Sequence, residues 1–291
     1  MKTNNVLLLV IIALLFSQCK SGTNNRSSAV SLSDTSFVAD SNRITYMLPS
    51  PDEVLEDIVS DKVKINPQLV NPKENAAKYL DRKSLALNLG VYIADFAYLN
   101  LNNNKANALE YFKIIRDFYQ KLNIYGIFDE NFFARIQNNL MNNDSLSIIA
   151  NDMYSQMAGT LENSNRMEDY ALISTGAFIE ALYVSAMSIP NYKNYSVAVK
   201  KIFEQNAMLQ NYHSFAYQYR KDKDVNDALM QLDSVNLIFS MAEKKSSATI
   251  VTRDKPNHLT IKGGNEVSAN EAIFARFIKS ISASRQHIIK Y

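Results

Sequence analysis

Apolar positions recur at helical spacing through most of this chain. Tyr111, Ile115, Phe118 and Leu122 fall on one side of a helix, while Glu110, Lys113, Asp117 and Gln120 fall on the other, the pattern of a surface helix with one buried stripe. Two stretches differ: Leu85 to Leu101 and Met167 to Met187 are apolar almost all the way round, as helices are when neighbours cover every side. They are expected to be the central helices. Helix starts are written as caps: Ser50-Pro51-Asp52-Glu53 is a capping box with proline at the first helical position, and Ser268-Ala269-Asn270-Glu271 repeats the box. Asn71-Pro72 and Asn165-Arg166-Met167-Glu168 read as further starts.

One region breaks the helical period. Ala248 to Thr252 and Leu259 to Lys262 are short β-branched runs around Asp254-Lys255-Pro256-Asn257, which predicts a β-hairpin over 247–263. An isolated hairpin is marginal in water, so it is expected to lie on the helices, and a C-terminal helix over 268–290 to pack back through Ile273, Phe277 and Ile281. The fold class is therefore mainly α, a multi-helix bundle or short α-solenoid-like array with one small hairpin before the last helix.

The two central stretches also resemble each other. Gly90-Val91-Tyr92-Ile93-Ala94-Asp95-Phe96 aligns with Gly176-Ala177-Phe178-Ile179-Glu180-Ala181-Leu182, at an offset of 86 residues. Either an old duplication or the shared habits of buried helices explains the match. Under both, Gly90 and Gly176 mark close helix crossings, since glycine inside a helix otherwise costs about 1 kcal/mol.

The first twenty residues carry no such helix. Lys2 precedes an apolar run from Val6 to Phe16, and Cys19 follows. At about 1.5 Å per residue the run reaches roughly half of the ~30 Å bilayer core, too short to span it, which is the layout of a cleaved secretion signal over 1–18. Phe16-Ser17-Gln18-Cys19 resembles a lipobox, departing from the usual pattern at Phe16 and Gln18. Cys19 is the only cysteine, so no disulfide within the chain is possible and lipidation is the use expected for it. Residues 19–46 are rich in Ser, Asn, Thr and Asp and read as a flexible stalk, with a reach of about 25–30 Å. A single helical domain is expected over 47–291.

Composition narrows the partners. Lys plus Arg number 31 against 29 for Asp plus Glu, a near-balance that argues against a nucleic-acid footprint. No Gly-x-Gly-x-x-Gly, Walker loop, Gly-x-Ser-x-Gly elbow or His-Glu-x-x-His occurs, and His213, His258 and His287 are far apart. No cofactor or metal is therefore expected.

Two sets of residues could carry function. Ser84, Asn88 and Asp95 share a narrow strip of the first central helix, and Asp169 and Glu180 share one on the second. Facing each other, Asp95 and Glu180 could share a proton for acid–base work or hold a divalent cation; paired to a tyrosine or arginine, they would serve structure alone. The second set lies in Asn211 to Arg220, where Tyr212, Phe215, Tyr217, Tyr219 and Arg220 could form a recognition surface for a glycan or envelope protein. The same stripe could equally be half core and half wet rim.

With this layout the chain resembles uncharacterised Bacteroidota-type lipoproteins, on Leu48-Pro49-Ser50-Pro51-x-Glu53 and on Ala86-Leu87-Asn88-Leu89-Gly90-Val91-Tyr92-Ile93-Ala94-Asp95. The resemblance implies a lipid on Cys19, attachment to the outer membrane and a helical body, and supplies no catalytic residue. Lacking an acidic run after Cys19, the chain is expected to face the periplasm. A binding or scaffolding module is the first expectation. The alternatives are an envelope enzyme or cation binder built on Asp95 and Glu180, and a helical small-molecule binder.

Overall fold

In a computed structural model of the chain, the two wholly apolar stretches lie side by side and are covered by other helices. The structure describes residues 48–58, 63–101, 105–126, 130–139, 143–255 and 258–290, all within the unit Tyr46–Tyr291. The signal segment, Cys19 and the stalk lie outside the described residues.

The order is α1 (Pro51–Ile58), a 3₁₀ turn (Lys73–Lys78), α2 (Arg82–Leu101), α3 (Lys105–Lys121), α4 (Glu130–Asn139), α5 (Asn143–Asn163), α6 (Met167–Met187), α7 (Ser196–Glu204), α8 (Asn206–Gln218) and α9 (Lys223–Phe239). Strands β1 (Glu243–Lys255) and β2 (His258–Ser268) then precede α10 (Glu271–Ile289). The fold is mainly α, as the periodicity predicts. Helices α2 and α6 are each long and apolar enough to cross a membrane by composition, yet 94% and 89% of their apolar windows are buried inside the body. They are its core.

Arg82 meets Asp169 near one end of the pair and Tyr98 meets Ser188 near the other, so α2 and α6 run in the same direction. Where they cross, a Cβ on Gly90 would stand 1.9 Å from the Ile173 carbonyl oxygen, and one on Gly176 would stand 2.0 Å from that of Leu87. Both glycines are thus required by backbone approach. The offset that relates Gly90 to Gly176 also relates Leu87 to Ile173, so the two contacts are equivalent across the crossing.

Helix α3 covers α2, while α1, α5, α8, α9 and α10 pack on α6. A shared central pair makes this a bundle rather than a linear array, in which each repeat would touch only its neighbours. α3 buries Tyr111, Ile115, Phe118 and Leu122 as the spacing requires, and α10 buries Phe274, Phe277, Ile281 and Ile288.

Some starts differ from expectation. Ser50 does cap α1, its Oγ accepting from the Glu53 amide at 3.3 Å. At α10 the cap is Asn270, whose side chain accepts from the Ile273 amide at 3.0 Å, because Ser268 is still paired in β2. Asn165 takes a positive φ of 54° in the turn before α6, which begins without a side-chain cap. The hairpin is longer than 247–263: antiparallel pairing runs from Glu243 opposite Ser268 to Lys255 opposite His258, with an irregularity between Ser247 and Ile250. The polar base, Glu243 to Ser247 opposite Gly264 to Ser268, is offset by one residue from the pairing of the β-branched centre, and the irregularity separates the two. β2 packs against α7.

Candidate functional site

A buried polar group lies between α2, α6 and α10. Asp95 and Glu180 are both 0% exposed, and Arg285 on α10 reaches in to join them. Arg285 Nε donates to Glu180 Oε2 at 2.8 Å and Nη2 donates to Oε1 at 2.9 Å, a bidentate pair of the kind a planar guanidinium favours. Nη2 also donates to the Leu69 carbonyl at 3.0 Å, and the guanidinium stacks on Tyr183, 4.2 Å from the ring centre.

Asp95 completes the group differently. Its Oδ2 accepts from the Asn71 amide at 2.9 Å, while its Oδ1 meets no donor among the described residues. Burial, reinforced by the charge of Glu180, holds the Asp95 carboxyl well above the usual carboxylate range. The shift favours the protonated form of Asp95 beside Glu180, which lessens the negative charge that the Arg285 guanidinium has to answer in a buried site.

The same group gathers the segment between α1 and α2. Asn71 Nδ2 donates to Tyr79 Oη at 3.0 Å, Tyr79 Oη donates to the Ile289 carbonyl at 3.0 Å, and Tyr111 Oη donates to the Asn71 carbonyl at 2.7 Å. Asn88 Nδ2 bonds both the Ser84 and the Ile288 carbonyls, at 2.9 and 3.1 Å. The polar seam expected on α2 is real. Ser84 serves locally by bonding Asp81, Asn88 ties α2 to α10, and Asp95 meets α6. On α6 the other seam residue, Asp169, is answered by Arg82 at 2.5 Å and Arg166 at 2.6 Å.

Compared with known proteins, the chain matches no family model, no curated protein and no solved structure. Chemistry is left to the geometry, which closes the carboxylate pair with an arginine and removes it from solvent. A cation at Glu180 would have to displace the Arg285 guanidinium. Among the described residues no group of three or more His, Cys, Asp or Glu side chains is placed to hold a metal ion.

The aromatic stretch on α8 is divided. Tyr212 and Phe215 are core residues, contrary to their inclusion in a recognition surface: Tyr212 stacks on Phe178 at 4.4 Å and donates to the Pro49 carbonyl, and Phe215 packs edge-on to Tyr170 at 5.4 Å. Helical spacing puts both on the apolar side, where α6 claims them. Tyr219 is half-buried against Phe215. Tyr217 is 50% exposed, with Arg220 over its ring at 4.0 Å and His213 stacked beside it. His213 bonds Asp233 on α9, and His287 bonds Asp227, so the histidines stand apart.

Arg285 was not singled out by spacing, and Asn71, expected at a helix start, precedes a 3₁₀ turn without a side-chain cap and spends its amide on Tyr79 instead. Arg285 left one trace, for it sits on the buried stripe of α10 between Ile281 and Ile288, where an uncompensated cation has no place.

Proposed function

We propose that this chain is a lipoprotein of the cell envelope, anchored through Cys19 at the outer membrane and facing the periplasm, whose helical body works as a binding or scaffolding module. The anchor rests on the signal layout, the single cysteine and the polar stalk. A multiply acylated Cys19 holds a protein at a membrane with no spanning segment, since each buried methylene contributes about 0.8 kcal/mol.

The observation that carries the binding role is the closure of Asp95 and Glu180 by Arg285. The acids that an enzyme would need are committed to joining three helices and one loop, which leaves the surface as the place where this protein meets other molecules.

The test has two parts. Mass spectrometry of the mature N-terminus is expected to find acylated Cys19, and Cys19→Ser to release the chain into the soluble fraction. Unmodified Cys19 on freely diffusing wild-type protein overturns the anchor. Cross-linking in intact cells is expected to give a defined complex that survives Asp95→Asn; a wild-type protein that stays alone, or a folded Asp95→Asn variant that loses its complex, overturns the binding role.

A further inference from the structure

Helices α9 and α10 pack against each other, and an open furrow of about 480 Å³ runs along their outer side. It exists because Ser234 on α9 and Ser280 and Ala283 on α10 are too small to fill the space between the two helix ridges. Its floor hydroxyls are already used, Ser280 Oγ donating to the Ser234 carbonyl at 3.0 Å and Ser284 Oγ to that of Gln231 at 3.4 Å.

The rim is cationic. Arg276 and Lys279, one turn apart and exposed on α10, line the furrow, and no carboxylate does. Among the described residues neither forms an ion pair; the one hydrogen-bond contact of Arg276 is to Met241 Sδ at 3.8 Å. Asp227, one turn before Gln231 on α9, is taken by Lys83 and His287. Beside the furrow runs an apolar line: Met230 and Leu237, two turns apart on α9 and 50% and 60% exposed, continued by Met241 at 37% just past the helix end. The two cations thus flank a face that also exposes methionine and leucine.

We propose that the α9–α10 furrow is the docking surface of this binding module, and that its occupant is an amphipathic helix from another protein, with apolar side chains on one side and carboxylates along its flank. The inference rests on the binding reading above. A groove between two helices beside an apolar line is the shape that receives a third helix, and methionines adapt to its side chains. Charge complementarity selects the flank: Arg276 and Lys279 lie at helical spacing and can each meet a carboxylate. A second copy paired by two-fold symmetry would set these cations against themselves, and a flat bilayer would touch the apolar line while leaving the furrow unfilled.

The test uses the full chain and a fluorescent synthetic amphipathic peptide of about 18 residues, with leucine on one face and glutamate on the flank, beside its glutamine counterpart and phosphatidylglycerol vesicles. The glutamate peptide is expected to bind at least roughly tenfold more tightly than the glutamine peptide, and to lose a similar factor with Arg276→Glu/Lys279→Glu and with Leu237→Glu. These side chains are exposed, so unchanged melting curves separate lost binding from lost folding. Equal binding of the two peptides, indifference to the variants, binding of vesicles in place of the peptide, or a wild-type dimer that the variants dissolve would each overturn it. Cross-linking in cells separates the two proposals: a native complex that persists in the Arg276→Glu/Lys279→Glu variant sinks the furrow and leaves the binding role standing, whereas no complex in wild type sinks both.

Discussion

Glu180 on α6 accepts hydrogen bonds from both Nε and Nη2 of Arg285 on α10, a residue 105 positions later in the chain. Through this pair the last helix is fastened to the central one, and Asp95 stands beside it on the other central helix with its carboxyl held above the usual range by burial.

The three members should respond differently to substitution. Asp95→Asn replaces a carboxylic proton with an amide proton of similar reach, so it is expected to change stability by less than about 1 kcal/mol at neutral pH. Glu180→Gln or Arg285→Met strands a buried charge and is expected to cost about 3–5 kcal/mol. Urea unfolding of the three variants checks the order, which reverses if Asp95 is ionised in the fold.

The glycine crossing makes a second prediction. Alanine normally stabilises a helix over glycine, but at position 90 or 176 the added methyl would overlap a carbonyl oxygen of the facing helix. Gly90→Ala and Gly176→Ala are each expected to lower stability at the upper end of roughly 1–3 kcal/mol or beyond. Gly159, with nothing within 4 Å of an added Cβ, is the control: Gly159→Ala should be neutral or stabilising. Equal melting temperatures for all three would contradict the close approach.

Stability should fall as pH rises above the ordinary carboxylate range. Burial, with Glu56 adding to it, pushes the Asp52 carboxyl up to about 7, and Asp95 is raised as well. Both carry in the fold a proton that the unfolded chain has released, so folding takes up protons. The stabilisation is full below about pH 4 and is lost as pH climbs through each folded value, at about 1.4 kcal/mol per pH unit for each group within its window. Urea midpoints at pH 5 and pH 8 are expected to favour pH 5, with Asp52→Asn flattening the difference; a flat or rising profile would refute it.

The division of the aromatic stretch is also measurable. Phe215→Ala is expected to cost about 3–5 kcal/mol, and Tyr217→Ala to stay within about 0.5 kcal/mol, both by chemical denaturation.

What could be read from residues alone was what one helix shows by itself. The wholly apolar character of Leu85 to Leu101 and Met167 to Met187 placed them centrally, and Gly90 and Gly176 named the crossing, because local patterning encodes how much of a helix is covered. The seam holding Asp95 and Glu180 was visible for the same reason. What closes it was not: pairing between positions 180 and 285 leaves no spacing to recognise, and a segment such as Asn66 to Pro72, which bonds through its backbone, has no periodicity. Cap positions shifted by one or two residues wherever a neighbouring element competed, as β2 did for Ser268.

Glu180 and Arg285 stand on helices far apart in sequence, so the buried anion is compensated only when α10 is docked on α6. Peeling α10 away would leave a carboxylate in a dry interior without its partner, which makes this helix the latch of the core.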